Sequence, residues 1–101
     1  MNTVNLTAKD NILFINGELT RHSLALINKK TYSSCFEFGH VTVNLNEVNK
    51  VDTAGLAWLF CLLEKALASS CEISFIHLPQ KLNKLIELSG VSGLLPITIS
   101  E

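Results

Sequence analysis

Charge is scarce in this chain and nearly balanced. Eight Lys and Arg stand against nine Asp and Glu, and the formal net charge is −1. These charges are scattered singly, so the basic face that a nucleic-acid binder turns toward phosphates is missing. No apolar stretch approaches the roughly 20 residues that span a bilayer. The start, Met1 to Asn5, has neither the charged opening nor the apolar run of a signal peptide. Cysteine is limited to Cys35, Cys61 and Cys71, an odd number without metal-type spacing. That usage suits reduced thiols in the cytoplasm, each serving as a small buried or half-buried hydrophobe. His22, His40 and His77 lie far apart, and no pair has the spacing of metal ligands, so each reads as a surface or strand histidine. Phosphate loops, nucleophile elbows, paired catalytic carboxylates and cofactor fingerprints are also lacking. The chain therefore reads as non-enzymatic, without metal or cofactor.

What the chain does have is apolar content, 48% of its 101 residues, enough for one globular domain over residues 1–101. No linker, repeat or low-complexity run divides it. Val4, Leu6 and Ala8 alternate with polar neighbours as a first strand, and Ile12–Ile15 reads as a second, which Asn16-Gly17 ends or bulges. Leu24, Ile27 and Thr31 are spaced for a short amphipathic helix near 20–32, which Thr20 or Ser23 could cap. Residues 41–48 alternate as a third strand, and an apolar helix covers about 54–69. A fourth strand over Glu72–Leu78 would put Ile73, Phe75 and His77 on one face. Pro79 then suits the first turn of a helix carrying Leu82, Leu85, Ile86 and Ser89, with Gly90 at its C′ position. Ile97-Thr98-Ile99 could add an edge strand. This order predicts an α/β domain: a mixed four- to five-stranded sheet with helices mainly on one face.

The strand-to-helix junction Val51-Asp52-Thr53-Ala54-Gly55-Leu56 is the most informative segment. Thr53, beside Asp52, presents a hydroxyl next to free backbone N–H groups. Either Thr53 caps the helix, or Asp52 caps it and leaves Thr53 at the first helical position. On a wheel at about 100° per residue, Leu56, Leu59, Phe60, Leu63, Ala66 and Leu67 would cover the sheet. The opposite side holds Ala57, Trp58, Cys61, Leu62 and Lys65, a side that surface helices usually keep polar. An exposed Trp58–Leu62 pair is then expected to be a partner-binding surface, together with Asp52, Thr53 and Ala54; the alternative is that a helix of the same domain covers it.

Three segments together resemble the STAS family: Gly17-Glu18-Leu19 after the second strand, the run from Val51 to Leu56, and Leu85 to Val91 at the end of the last helix. That family includes anti-sigma factor antagonists and the small cytoplasmic subunit, MlaB type, of the Mla phospholipid ABC transporter. In the antagonists, the hydroxyl residue directly after the Asp is the one phosphorylated, and Thr53 matches it. Ala54, where antagonists often carry a second Ser or Thr, and Thr20, where many have Asp, weaken a phosphoswitch, and the run from Val51 to Leu59 looks closer to the transporter-type members. There the hydroxyl residue is implicated in docking on the ATPase subunit. The resemblance thus implies a cytoplasmic bacterial adaptor for an ABC-transporter ATPase. Such an adaptor would reach the inner face of the inner membrane through that partner, without inserting, and could form a homodimer in isolation. The alternative is an antagonist of an anti-sigma factor kinase, regulated by phosphorylation of Thr53.

Overall fold

The structure, a computed structural model, describes residues 3–97. Its elements are β1 (Val4–Lys9), β2 (Ile12–Leu19), α1 (Lys29–Ser33), β3 (His40–Val51), α2 (Thr53–Ala68), β4 (Glu72–Ile76) and α3 (Gln80–Leu88), with short 3-10 turns at Leu24–Leu26 and Ser34–Phe38. The four strands form one sheet in the order β1-β2-β3-β4. The β1–β2 hairpin is antiparallel, while β2–β3 and β3–β4 are parallel and joined by helical crossovers.

Alternation decides which face is buried. Leu13, Ile15, Val41, Val43, Leu45, Ile73 and Phe75 point to the helices and are almost fully buried. The intervening Asn5, Thr7, Phe14, Thr42 and Asn44 turn to the other, largely polar face. Helices thus cover one face, as the alternation predicts. Asn16-Gly17 bulges β2 rather than ending it: the β2–β3 register slips on both sides of this pair. Gly17 sits at φ +102°, and a Cβ there would meet the Thr3 carbonyl oxygen at 2.5 Å.

Several element boundaries depart from the sequence reading. The helix expected near 20–32 is broken into the Leu24–Leu26 turn and the five-residue α1. Ser23 is the cause. Its hydroxyl donates to the Glu18 carbonyl at 2.6 Å and accepts from the Thr20 N–H at 3.0 Å, so it serves a turn instead of capping a helix. The α1 cap is Asn28, whose side chain accepts from the Lys30 N–H. Strand β4 stops at Ile76, and His77, in a left-handed conformation, is exposed outside it. Ile97 forms a single parallel bridge to Phe75, while Thr98 and Ile99 lie outside the described residues. Gly90 does take the left-handed C′ position: its N–H reaches the Glu87 carbonyl and that of Val91 reaches Ile86, closing α3.

Candidate functional site

Because β2 and β3 run parallel, their C-terminal ends open on the same edge of the sheet, where ligands and partners commonly meet α/β folds. The chain leaves β2 into the Thr20–Ser23 turn and leaves β3 into α2. Asp52 ties the two exits together. One carboxylate oxygen accepts from the Gly55 N–H at 2.9 Å, capping α2, and the other accepts from the Arg21 N–H at 3.1 Å. Burial by itself would raise the Asp52 carboxyl. The N–H groups of Arg21, Gly55 and Ala54, with His22 nearby, more than offset this and hold it below its ordinary value. Gly55 is required by packing: a Cβ there would fall 1.9 Å from the Leu19 carbonyl oxygen, so only glycine lets α2 sit this close to the end of β2.

Of the two capping arrangements open from the sequence, the structure has Asp52 as cap and Thr53 as the first helical residue. Thr53 is exposed, and its hydroxyl makes no hydrogen bond among the described residues. Arg21 and His22, both exposed, flank it through the Asp52 bridge. Sequence reasoning missed these two; a turn-forming Thr20-Arg21-His22-Ser23 segment after a strand was the available signal.

The rest of the expected surface is only partly assembled. Ala57, Cys61 and Lys65 are exposed and Ala54 is half-buried. Leu62 is a correction: it is 1% exposed and belongs to the core. Leu63 is only partly buried, and Leu67, expected against the sheet, is 65% exposed. The buried arc of α2 runs through Gly55, Leu56, Leu59, Leu62 and Ala66, its centre turned by about 60° from that of the expected stripe. Tyr32 and Phe36 pack together beside the Trp58 flank of α2 and belong to the same buried cluster as this arc. Trp58 is therefore half-buried, its ring edge-on to Tyr32 with centroids 5.8 Å apart. Cys61 corrects the expectation of three buried or half-buried thiols, being exposed while Cys35 and Cys71 are buried. Burial pushes both buried thiols up in pKa, Cys71 adding to the shift at Cys35 and Glu72 to that at Cys71.

A larger groove of about 630 Å³ lies at the opposite end of the sheet, between Leu63 and Leu67 of α2, the starts of β3 and β4, and Leu94 and Pro96. It is remote from Thr53. No group of three or more His, Cys, Asp or Glu residues is placed to hold a metal among the described residues, and no described helix is long and apolar enough to cross a membrane.

The candidate site of this small α/β domain is thus an exposed hydroxyl at a carboxylate-capped helix start. The chain belongs to the STAS family: the family model described as "Mlab, STAS domain" matches residues 2–96. Solved structures share its fold. Unphosphorylated SpoIIAA, an anti-sigma factor antagonist, superposes with a TM-score of 0.69 at 15% identity, over 97% of this chain and 88% of the other. Phosphorylated SpoIIAA from Bacillus gives 0.65 at 16% identity, over 97% and 91%. A putative anti-sigma factor antagonist from Thermotoga maritima gives 0.72 at 16%, over 97% and 86%. Among curated proteins, no sequence match was found.

Proposed function

We propose that this chain is a non-catalytic STAS adaptor whose α2-start surface docks on the ATPase subunit of an Mla-type phospholipid ABC transporter and stabilises its assembled state. Support comes chiefly from the match of nearly the whole chain to the family model that carries the Mlab description, together with Ala54 beside Thr53. The docking surface comprises Asp52, Thr53, Ala54, Ala57, Trp58, Cys61 and Lys65, with Arg21 and His22 at its edge. An adaptor acts through differential binding, favouring the partner conformation whose surface complements its own. It operates in the cytoplasm.

A second reading is favoured by one observation: the Thr53 hydroxyl is exposed and unpaired among the described residues, at the positive end of a 16-residue helix. A phosphate there would be electrostatically tolerated despite Asp52, and the chain would act as a switchable antagonist of an anti-sigma factor kinase. Both readings are tested by measuring the affinity of Thr53→Ser, Thr53→Ala and Thr53→Glu for the purified ATPase subunit and for the anti-sigma factor of the same cell. The adaptor reading expects ATPase binding by the parent, retention in Thr53→Ser and the largest loss in Thr53→Glu, because an unpaired charge must be desolvated. Binding to the anti-sigma factor alone, with phospho-Thr53 in cells, establishes the switch instead. Unchanged affinity in Thr53→Glu removes the helix start from the interface.

A further inference from the structure

A second feature lies along α2 from Thr53. Where α1 and the Ser34–Phe38 turn pass the C-terminal half of α2, a cleft of about 250 Å³ opens, lined by Lys29, Tyr32, Ser33, Phe36, Lys65 and Ser69, with Ala68. Its floor is aromatic: Tyr32 and Phe36 pack with ring centroids 6.1 Å apart, and Tyr32 continues edge-on to Trp58. Its rim is cationic. Lys29 and Lys65 face it from opposite walls, Lys30 follows in sequence, and no carboxylate lines it. In a chain whose net charge is −1, this is an uncompensated local concentration of positive charge. Lys65 answers the negative end of the α2 dipole, but Lys29 opens α1, where a helix gains nothing from a cation. The Tyr32 ring is 5% exposed, so it forms the closed base of the cleft.

From these observations we infer that the cleft receives an acidic side chain of a protein partner, its carboxylate between Lys29 and Lys65 and an adjoining aliphatic side chain on Tyr32 and Phe36. The volume is below the roughly 300–1,000 Å³ of small-molecule pockets, and fits one or two side chains better than a cofactor. An apolar floor inside a charged rim matches the usual anatomy of a protein contact. Trp58, Cys61 and Lys65 follow one another along the flank of α2 that joins this cleft to Thr53, so a partner seated at the helix start extends onto the cleft. Assigning that partner as the ATPase rests on the adaptor reading; the cleft's chemistry does not.

The test has two arms. In the first, a short blocked peptide alternating leucine with glutamate is titrated into the isotope-labelled domain and followed by amide chemical shifts. Shifts centred on Lys29, Ser33, Phe36 and Ser69 are expected, absent in the Lys29→Glu/Lys65→Glu variant and retained in Lys81→Glu/Lys84→Glu, an equal charge change on α3. Diffuse shifts, shifts that survive the double reversal, or identical shifts from inorganic phosphate alone would overturn the cleft. In the second arm, affinity for the purified ATPase subunit should fall about tenfold or more in Lys29→Glu/Lys65→Glu and lose its salt dependence, while the α3 control binds like the parent. If the peptide binds the cleft and the parent does not bind the ATPase, the adaptor reading fails and the cleft stands. If the ATPase binds parent and double variant alike, the adaptor stands and the cleft fails.

Discussion

At the scale of single residues, Asp52 carries more of the site than Thr53. One carboxylate holds both the first turn of α2 and the turn after β2, through N–H groups of Gly55 and Arg21. Asp52→Ala should cost about 0.5–2 kcal/mol, the range for losing an N-cap. Asp52→Asn should fall between, because its carbonyl oxygen can cap Gly55 while its amide meets the Arg21 N–H donor to donor. Their acid limbs should differ too. A carboxyl held below its ordinary value when folded binds its proton more readily when unfolded. Its stabilisation is therefore complete above the unfolded value near 3.8 and is lost as pH falls below that value through the folded one. Urea melts from neutral pH downward should show the parent losing this increment and both variants lacking it; parallel curves would remove Asp52 from the acid transition. The thiols give an independent check of burial. With Cys61 exposed and Cys35 and Cys71 buried and raised in pKa, a thiol reagent at neutral pH should label Cys61 alone in the native protein and all three in denaturant. The sequence motif around Asp52 was legible because a capping side chain acts locally. Arg21 and His22 were not, because their place depends on the parallel register of β2 and β3.

At the scale of elements, α2 separates what a helical wheel can and cannot tell. Its existence and its start were plain from the sequence, but its rotation was not, since Leu and Phe occur almost all round it. The wheel placed the stripe on Leu56, Leu59, Phe60, Leu63, Ala66 and Leu67; Leu56, Leu59 and Ala66 are buried, but Leu62 joins them while Leu67 stays exposed. Leu62→Ala should therefore cost about 2–5 kcal/mol as a core truncation, and Leu67→Ala no more than about 0.5 kcal/mol as a surface change. Chemical denaturation of the two variants reads this order directly, and the reverse order would restore the volume-based face. Helix α2 closes with Cys71 N–H on the Ala66 carbonyl and Ser70 N–H on Leu67, which forces Ser70 to φ +56°. Glycine is the residue that conformation favours, so Ser70→Gly should raise stability by roughly 0.5–1 kcal/mol. A lower melting temperature for Ser70→Gly would mean that the serine side chain contributes more than its backbone strain costs. The broken helix after β2 was hidden by the same kind of competition: Ser23 reads as a cap in sequence, and only the nearby Glu18 carbonyl shows that its hydroxyl is already engaged.

At the scale of the whole molecule, the mixed sheet with helices on one face follows from period-2 alternation flanking a period-3.6 helix and was legible, whereas the strand order β1-β2-β3-β4 was not, because alternation does not say which strands are neighbours. Stability across that architecture should be uneven. β2 and β3 are the two interior strands, paired on both sides and covered by α2, whose Gly55 backbone rests on Leu19. The segment from Leu24 to Phe38 consists of two 3-10 turns and a five-residue helix, each too short to hold its hydrogen bonds without tertiary support. Its buried anchors are Tyr32, Cys35 and Phe36. Native-state hydrogen exchange should therefore rank the molecule: amides of Leu13–Ile15 and Val41–Leu45 exchanging only through global unfolding, those of Lys29–Phe38 through a smaller local opening. On the proposed adaptor reading, addition of the ATPase subunit should slow exchange at residues 53–58 and, where the Lys29–Lys65 cleft is engaged, at residues 29–36 as well, raising the opening free energy by RT ln(1 + [L]/Kd). Protection of 53–58 alone would confine docking to the helix start. Equal native protection of Lys29–Phe38 and β3 would contradict the division into a rigid sheet–helix body and a separately opening α1 wall, and would make the cleft a fixed feature of the core.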